Sequence, residues 1–487
     1  SKIHKALNKD IQLKELFRLP TIKELSEFIE NEKESIYSKI ERVKEKEKYE
    51  ASSAQKRMYM LQQFDNKSIA YNMPVVFGLD GNVDKKQIEA TFKKLIERHE
   101  ALRTYFETDD DQIVQRVDNS YEFKLEVRPE SGDIDTIINN FIRPFDLSEA
   151  PLIRVNLVEN EEKTYLLIDM HHIISDRISA SILVNEFKMI YNGKKLEPLK
   201  LQYKDFSEWQ NKFLQSEEMK KQEEYWLNMF KDEIPVLNMP TDYERLPIRS
   251  FEGNNVSFEV DEDTTEQLKK LTKETGTTMH MVLLSAFNIL LSKYSGQEDI
   301  VIGVPIAGRP HADVQNIMGM FVNTLALRNK PEGNKRYLDF LKEVKENSLS
   351  AYENQDYSLE VLVEKLNIVR DTSRNPLFDV MFDMVGTVSS SDIEVEELVL
   401  KSYNMEGKVS KFELSLDAIE RPKTLKIMLS YCVEFFHKET VEIMLEDYYL
   451  ILKTISIDKN VALNNIELKY LTYDSELNLS ELEEFSL

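Results

Sequence analysis

Apolar and polar positions along the chain switch between a period near 3.6 and a period of two, which predicts a mixed helix-and-strand protein. From residue 52, SSAQKRMYMLQQF opens on a serine cap and reads as a helix; MPVVFGLDG reads as a strand that Gly81 ends. VDKKQIEATFKKLIERHEALRTYF is an amphipathic helix running into a strand. QIVQRV, YEFKLEV, LIRVNLV and TYLLIDM follow as short strands. The helices SASILVNEFKMIY and YKDFSEWQNKFL close this half near residue 218. A second half repeats the rhythm. NVSFEV is a strand, TTEQLKKLTKE a helix, and MHMVLLSAFNILLSKYSG an apolar helix that must be buried. DIVIGVPIAG, FVNTLALR, LFDVMFDM, KFELSLDAI and LKIMLSY read as strands; YLDFLKEVKENSLSAYENQ, LEVLVEKL and TVEIMLEDYYLILKTI read as helices. Ahead of both halves, residues 1–32 carry short amphipathic helices with too little apolar surface to fold alone. KESIYSKIERVKEKEKYE (33–50) reads as a solvated linker, and residues 467–487 as an acidic linker towards a following domain.

The stretch YLLIDMHHIISDRI (165–178) stands out, because a buried strand ends there in His171 and His172 with Asp176 just beyond. Adjacent imidazoles at a strand end cost burial energy unless they are hydrogen-bonded or used. By spacing alone they read first as ordinary strand-capping histidines, with Asp176 as the cap of the next helix.

Composition narrows the choice. At 487 residues the chain exceeds one ordinary core, so more than one lobe is expected. The 63 basic against 87 acidic residues leave a net charge of -24, which repels phosphate backbones and disfavours nucleic acid as a partner. The single cysteine, Cys432, excludes an internal disulfide and fits a reducing, cytoplasmic setting. No apolar run spans a membrane, and neither zinc-type Cys/His spacing nor a phosphate-binding glycine loop is present, so no metal is expected.

A series of motifs in one order resembles the condensation domains of nonribosomal peptide synthetases, relatives of chloramphenicol acetyltransferase. They are SSAQKRMYML (52–61), RHEALRTYF (98–106), MHHIISDR (170–177), YKDFSEW (203–209), MGMFVNTLALR (318–328), NQDYSLE (354–360) and RDTSRNPLFDVMF (370–382). The resemblance implies an α/β fold: two acetyltransferase-like lobes, 51–218 and 219–466, in a V-shaped pseudo-dimer with a tunnel between them. QLKELFRLPTIKELSEFIE in 1–32 resembles the last helices of a peptidyl carrier domain, whose phosphopantetheine-bearing serine is absent from this sequence.

The implied reaction is aminolysis: the amine of an aminoacyl group on a downstream carrier attacks the thioester on an upstream carrier. Both substrates would arrive on 4'-phosphopantetheine arms, with no cofactor bound directly. Carrier domains and a neighbouring adenylation domain are the implied partners; the excised chain is expected to be monomeric. His172 is the candidate catalytic residue, as base or as orienting group for the amine. His171 is expected to hold the turn by bonding backbone, and Asp176 to pair with Arg309 structurally. Asn323 and Ser410 are candidates to line the tunnel, and Arg57 and Arg103 to form salt bridges within the first half. Two positions depart from the family pattern. Arg177 stands where HHxxxDG has glycine, and is expected to gate the acceptor channel; Ser358 stands where proline is usual. The FVNT, NQDY and RDTSRNPL segments resemble the condensing branch, and the carrier fragment joined to this domain with no epimerisation domain between them favours an L-residue donor. The alternatives are an epimerisation domain of the same fold, a non-catalytic relative that recruits an enzyme, and an acyltransferase using a soluble donor.

Overall fold

The computed structural model describes residues 2–9, 11–32, 39–161, 163–246, 251–368, 371, 373–385, 393–395, 398–403 and 409–469. Most of the 467–487 linker, the 33–38 segment and parts of the 370–382 motif lie outside the described residues.

Two six-stranded sheets organise the described residues. The first is built around Thr164–His171, which runs antiparallel to both Asn72–Gly81 and Ile153–Glu159. Its strand reads TYLLIDMH, and all but its first two residues are buried, because helices cover one face and other elements the opposite one. Lys85–Arg98 and Arg177–Tyr191 supply that cover, with Ile88, Phe92, Leu95, Leu183 and Phe187 inward. The second sheet carries Ile300–Ile306, Val380–Val385 and Leu414–Glu420 in parallel near its centre, with antiparallel strands outside them. Met279–Ser295 lies under it with almost every side chain buried, as its unbroken apolar run requires.

The sheets do not divide as the chain does. Ile393–Val395 and Leu398–Ser402, from the half assigned as 219–466, pair with Asn72–Gly81 and complete the first sheet; Val395, Leu398 and Leu400 enter its core. Met318 and Met320 of the MGMF motif enter the same core. The physical reason is an open edge: Asn72–Gly81 would otherwise expose unpaired backbone groups, which this hairpin satisfies.

The linker is less solvated than its charge suggests. Ile40 is buried beside Leu201, Tyr203, Phe206 and Phe321, and Tyr49 is a buried strand residue paired with Gln115. Glu217–Met229 forms a further helix where the sequence reading placed only the close of the first half; Met219 and Trp226 anchor it in the second core. The amino-terminal helices Lys2–Leu7, Leu13–Arg18 and Ile22–Asn31 bury no residue fully, and Leu13–Arg18 packs against Tyr337–Glu353.

Candidate active site

The site forms where the histidine strand stops. His171 N–H still bonds to the Leu152 carbonyl, but the chain then leaves the sheet in a single tight turn, His172–Ile174, closed by Ser175 N–H on the His172 carbonyl. His171 is buried, and its Nδ1 accepts the Ile173 N–H at 3.1 Å. The ring proton therefore sits on Nε2, 3.4 Å from Gln62 Oε1. Phe145 meets the ring edge-on. Burial first, then the charges of His172 and Lys411, push its pKa down to about 3, so it stays neutral.

His172 is arranged the other way round. Its Nδ1 lies 2.8 Å from the Ser175 carbonyl, which can only accept, so Nδ1 carries the proton and Nε2 presents a lone pair. Among the described residues none bonds to Nε2, and the residue is half-buried rather than sealed. Its backbone N–H donates to the Tyr71 carbonyl at 2.8 Å. Burial, followed by the charge of Lys411, holds its pKa at about 4. At neutral pH the ring is a hydrogen-bond acceptor. It is too weak a base to strip a free alkylammonium, and well suited to receive an N–H from a neutral amine.

Asp176 and Arg309 secure the turn from both sides. Arg309 Nη2 donates to Asp176 Oδ1 at 3.0 Å and Oδ2 at 3.1 Å, and each side chain is 1% exposed. Asp176 also caps Arg177–Tyr191 by accepting the Ser179 N–H at 2.6 Å, and accepts Phe321 N–H at 3.3 Å. Arg309 lies over the Phe321 ring at 3.9 Å and donates to the Val314 and Ile317 carbonyls. Ser179 Oγ donates to the Gly319 carbonyl and accepts the Gly319 N–H, both at 3.0 Å. A side chain at Gly319 would sit 1.9 Å from the Tyr203 ring, which is why this approach takes glycine. The MGMF segment, Asp176 and Arg309 thus join the two halves immediately behind the histidine turn.

The remaining candidates are distributed differently. Arg177 Nη1 is 2.8 Å from Asp383 Oδ2 on the second sheet, so it bridges the two halves with a half-exposed side chain. Asp417 is the direct strand neighbour of Asp383, and burial, together with the Asp383 charge, raises its pKa to about 7. Asn323 commits its amide to the Gln355 and Tyr357 carbonyls and its oxygen to the Thr324 N–H, which pins the NQDY loop. Ser410 is buried, its hydroxyl donated to the Phe412 carbonyl, and so presents no open face to a tunnel. Arg57 pairs at 3.1 Å with Glu360 of the second half rather than within the first, because its helix faces Leu359–Lys365 across the junction. Arg103 bonds the Asp118 carbonyl and Asn119 instead of a carboxylate. Ser358 caps the helix Leu359–Lys365 through its hydroxyl, a role proline cannot perform. Lys411 and Tyr71, both beside the histidines, had no signal in the sequence beyond a lysine ahead of a strand. A cavity of about 700 Å³ lies elsewhere, between Leu13 and Phe17 of the amino-terminal helices and His280, Tyr352 and Met384.

The condensation domain family model matches residues 45–476, nearly all of the two-sheet body. The chain belongs to the condensation domain family. This condensation domain is 46% identical over 96% of its length to bacitracin synthase 3 of Bacillus licheniformis, and 46% identical over 96% to gramicidin S synthase 2 of Brevibacillus brevis. It spans 7% and 11% of those proteins. The crystal structure of the X-domain from teicoplanin biosynthesis superposes with a TM-score of 0.82 at 21% identity, covering 88% of this chain and 100% of that one, which is a likeness of fold. Condensation domains of nonribosomal peptide synthetases form amide bonds, so the chain is an enzyme of that class. Among the described residues, no group of His, Cys, Asp and Glu is placed to hold a metal ion, and no helix is long and apolar enough to cross a membrane.

Proposed function

We propose that the domain forms a peptide bond between two carrier-bound groups, with His172 orienting the attacking amine. The observation that carries this reading is the tautomer of His172: Nδ1–H is spent on the Ser175 carbonyl, which leaves Nε2 with its lone pair to offer. An N–H···Nε2 hydrogen bond fixes the direction of the amine lone pair towards the thioester carbonyl carbon. As the C–N bond forms, the amine nitrogen becomes cationic and far more acidic. His172, held neutral, then takes that proton, and it passes to the thiolate released when the C–S bond breaks. A ring with pKa about 4 performs this sequence better than direct deprotonation of an ammonium.

The donor arrives on an upstream peptidyl carrier whose last helices are residues 1–32, and the acceptor on a downstream carrier. Both are tethered through 4'-phosphopantetheine, enter a tunnel between the lobes 51–218 and 219–466, and belong to a cytoplasmic assembly with an adenylation domain. An ion pair between Lys5 and Asp313, near Arg309, supports docking of the carrier remnant on the second half. Arg177, held by Asp383 at the start of its helix, gates the acceptor side. The condensing-type motifs favour condensation over epimerisation, and the carrier remnant, joined to the domain with no epimerisation domain between them, favours an L-residue donor.

Loading synthetic aminoacyl pantetheine thioesters on an upstream and a downstream carrier, then following products by mass, tests this. A dipeptide on the downstream carrier is expected. Scrambling of one α-centre without amide formation assigns an epimerisation domain, and binding without turnover assigns a recruiting domain.

A further inference from the structure

Lys411 enters the histidine site from the second half of the molecule. It lies in the short segment between Val409, which bridges to Glu252, and the strand Leu414–Glu420. That segment is fixed: Ser410 N–H bonds the Phe251 carbonyl at 2.9 Å, the Ser410 hydroxyl bonds the Phe412 carbonyl at 2.7 Å, and Asn375 donates to the Lys411 carbonyl at 3.3 Å. From this base the ammonium reaches the first half and lies 4.5 Å from the centre of the Tyr71 ring. Tyr71 is the residue whose carbonyl receives the His172 N–H. Among the described residues no carboxylate pairs with Lys411; its recorded neighbour is the π face of Tyr71, a weak substitute for an anion.

An ammonium kept in a half-buried site with no counter-ion among the described residues is costly, so its retention calls for a use. Two effects follow from its position. Packed on Tyr71, it fixes the residue that anchors the His172 turn. Its uncompensated charge also reaches both imidazoles and disfavours any second cation between them, whether a protonated ring or an incoming ammonium.

We propose that Lys411 is a positioning residue of the condensation site, a cation carried across from the second half that fixes Tyr71 against the His172 turn and reserves the site for a neutral amine. The part concerning the amine rests on the function proposed above; the part concerning His172 does not. Other charges act here as well: His171 and Asp176 on the segment of His172, Arg154 towards His171, and Arg57 of Ser53–Phe64 towards Lys411. Asp176 pulls against Lys411 but is already engaged by Arg309. Burial, with Arg57, lowers Lys411 to about 8, so its charge is mostly present at neutral pH and fades above.

The test compares the parent with Lys411→Met, which keeps the stem, and Lys411→Arg, which keeps the charge. The chain has 7 histidines, few enough to follow by ring-labelled NMR, with His172→Gln assigning the resonance. In Lys411→Met the His172 midpoint is expected to rise by about one unit, while Lys411→Arg stays near the parent. In the condensation assay kcat/KM at neutral pH falls in Lys411→Met and is restored in Lys411→Arg. Superimposable His172 titrations in the parent and Lys411→Met overturn the proposal. So does an equal loss of kcat/KM in both variants, which marks a packing effect. If the parent makes no amide at all, the condensation reading fails while the NMR comparison still decides the role of Lys411.

Discussion

Replacing Asp176 by alanine removes the acceptor of the buried Arg309 guanidinium, the cap of Arg177–Tyr191 and the partner of Phe321 N–H in one step. Among the described residues Arg309 Nε lacks a partner, and the stranded charge is left there with the Val314 and Ile317 carbonyls, Ser179 Oγ and the Phe321 ring. Breaking one side of a buried pair costs about 3–5 kcal/mol, of which loss of the cap explains about 1. Asp176→Ala and Arg309→Ala are each expected to lose that much against urea and to lower soluble yield. Asp176→Asn combined with Arg309→Met, which removes both charges and keeps a capping side chain, is expected to cost about 2 kcal/mol less than Asp176→Asn and Arg309→Met made singly and summed. Because the molecule has two sheets, unfolding is followed by tryptophan fluorescence and by circular dichroism, and the transitions are compared before a free energy is taken. A loss below about 1 kcal/mol in Asp176→Ala, or strict additivity in the cycle, refutes the assignment of this pair as the joint behind the histidine turn. Folding at parental stability with turnover abolished in either single variant contradicts a structural role as well.

Three further outcomes follow. Arg177→Gly breaks a half-exposed ion pair and is expected to change stability by less than about 1 kcal/mol while altering rates for large against small acceptors; identical rates and preferences remove the gate. Asp417 has a folded pKa of about 7, above its ordinary carboxylate value, so the native state binds more protons than the unfolded one between about pH 4 and 7. Stability therefore falls as pH rises through that window; Asp417→Asn should flatten the slope of the urea midpoint against pH, and an unchanged slope contradicts the assignment. Gly319→Ala forces a methyl into the Tyr203 ring and is expected to lower the thermal midpoint, at a cost of about 1–3 kcal/mol; parental melting would show that the loop relaxes freely.

The sequence made some of this legible and hid the rest for physical reasons. Met279–Ser295 could be placed because an apolar run of that length has nowhere to lie except inside. The histidine strand was visible for the same reason, and its abrupt end marked the site. The place of the strands Ile393–Val395 and Leu398–Ser402 was not: alternation announces a strand but does not name its partner, and the second of these pairs with residues 77–81 across most of the chain. Glu217–Met229 was hidden by its charged surface, since only Met219, Gln222 and Trp226 are buried. Ser410 and Lys411 show the limit most clearly. Adjacent in sequence, they face opposite environments, one hydroxyl folded back on backbone and one ammonium reaching another lobe, and no local pattern distinguishes them.

The most direct measurement is amide formation by His172→Ala with both carriers loaded, read by intact mass beside the parent and His171→Ala. His172→Ala is expected to fold and bind both carriers but to lose at least about a hundredfold in single-turnover rate. Dipeptide formed by His172→Ala at the parental rate contradicts that expectation.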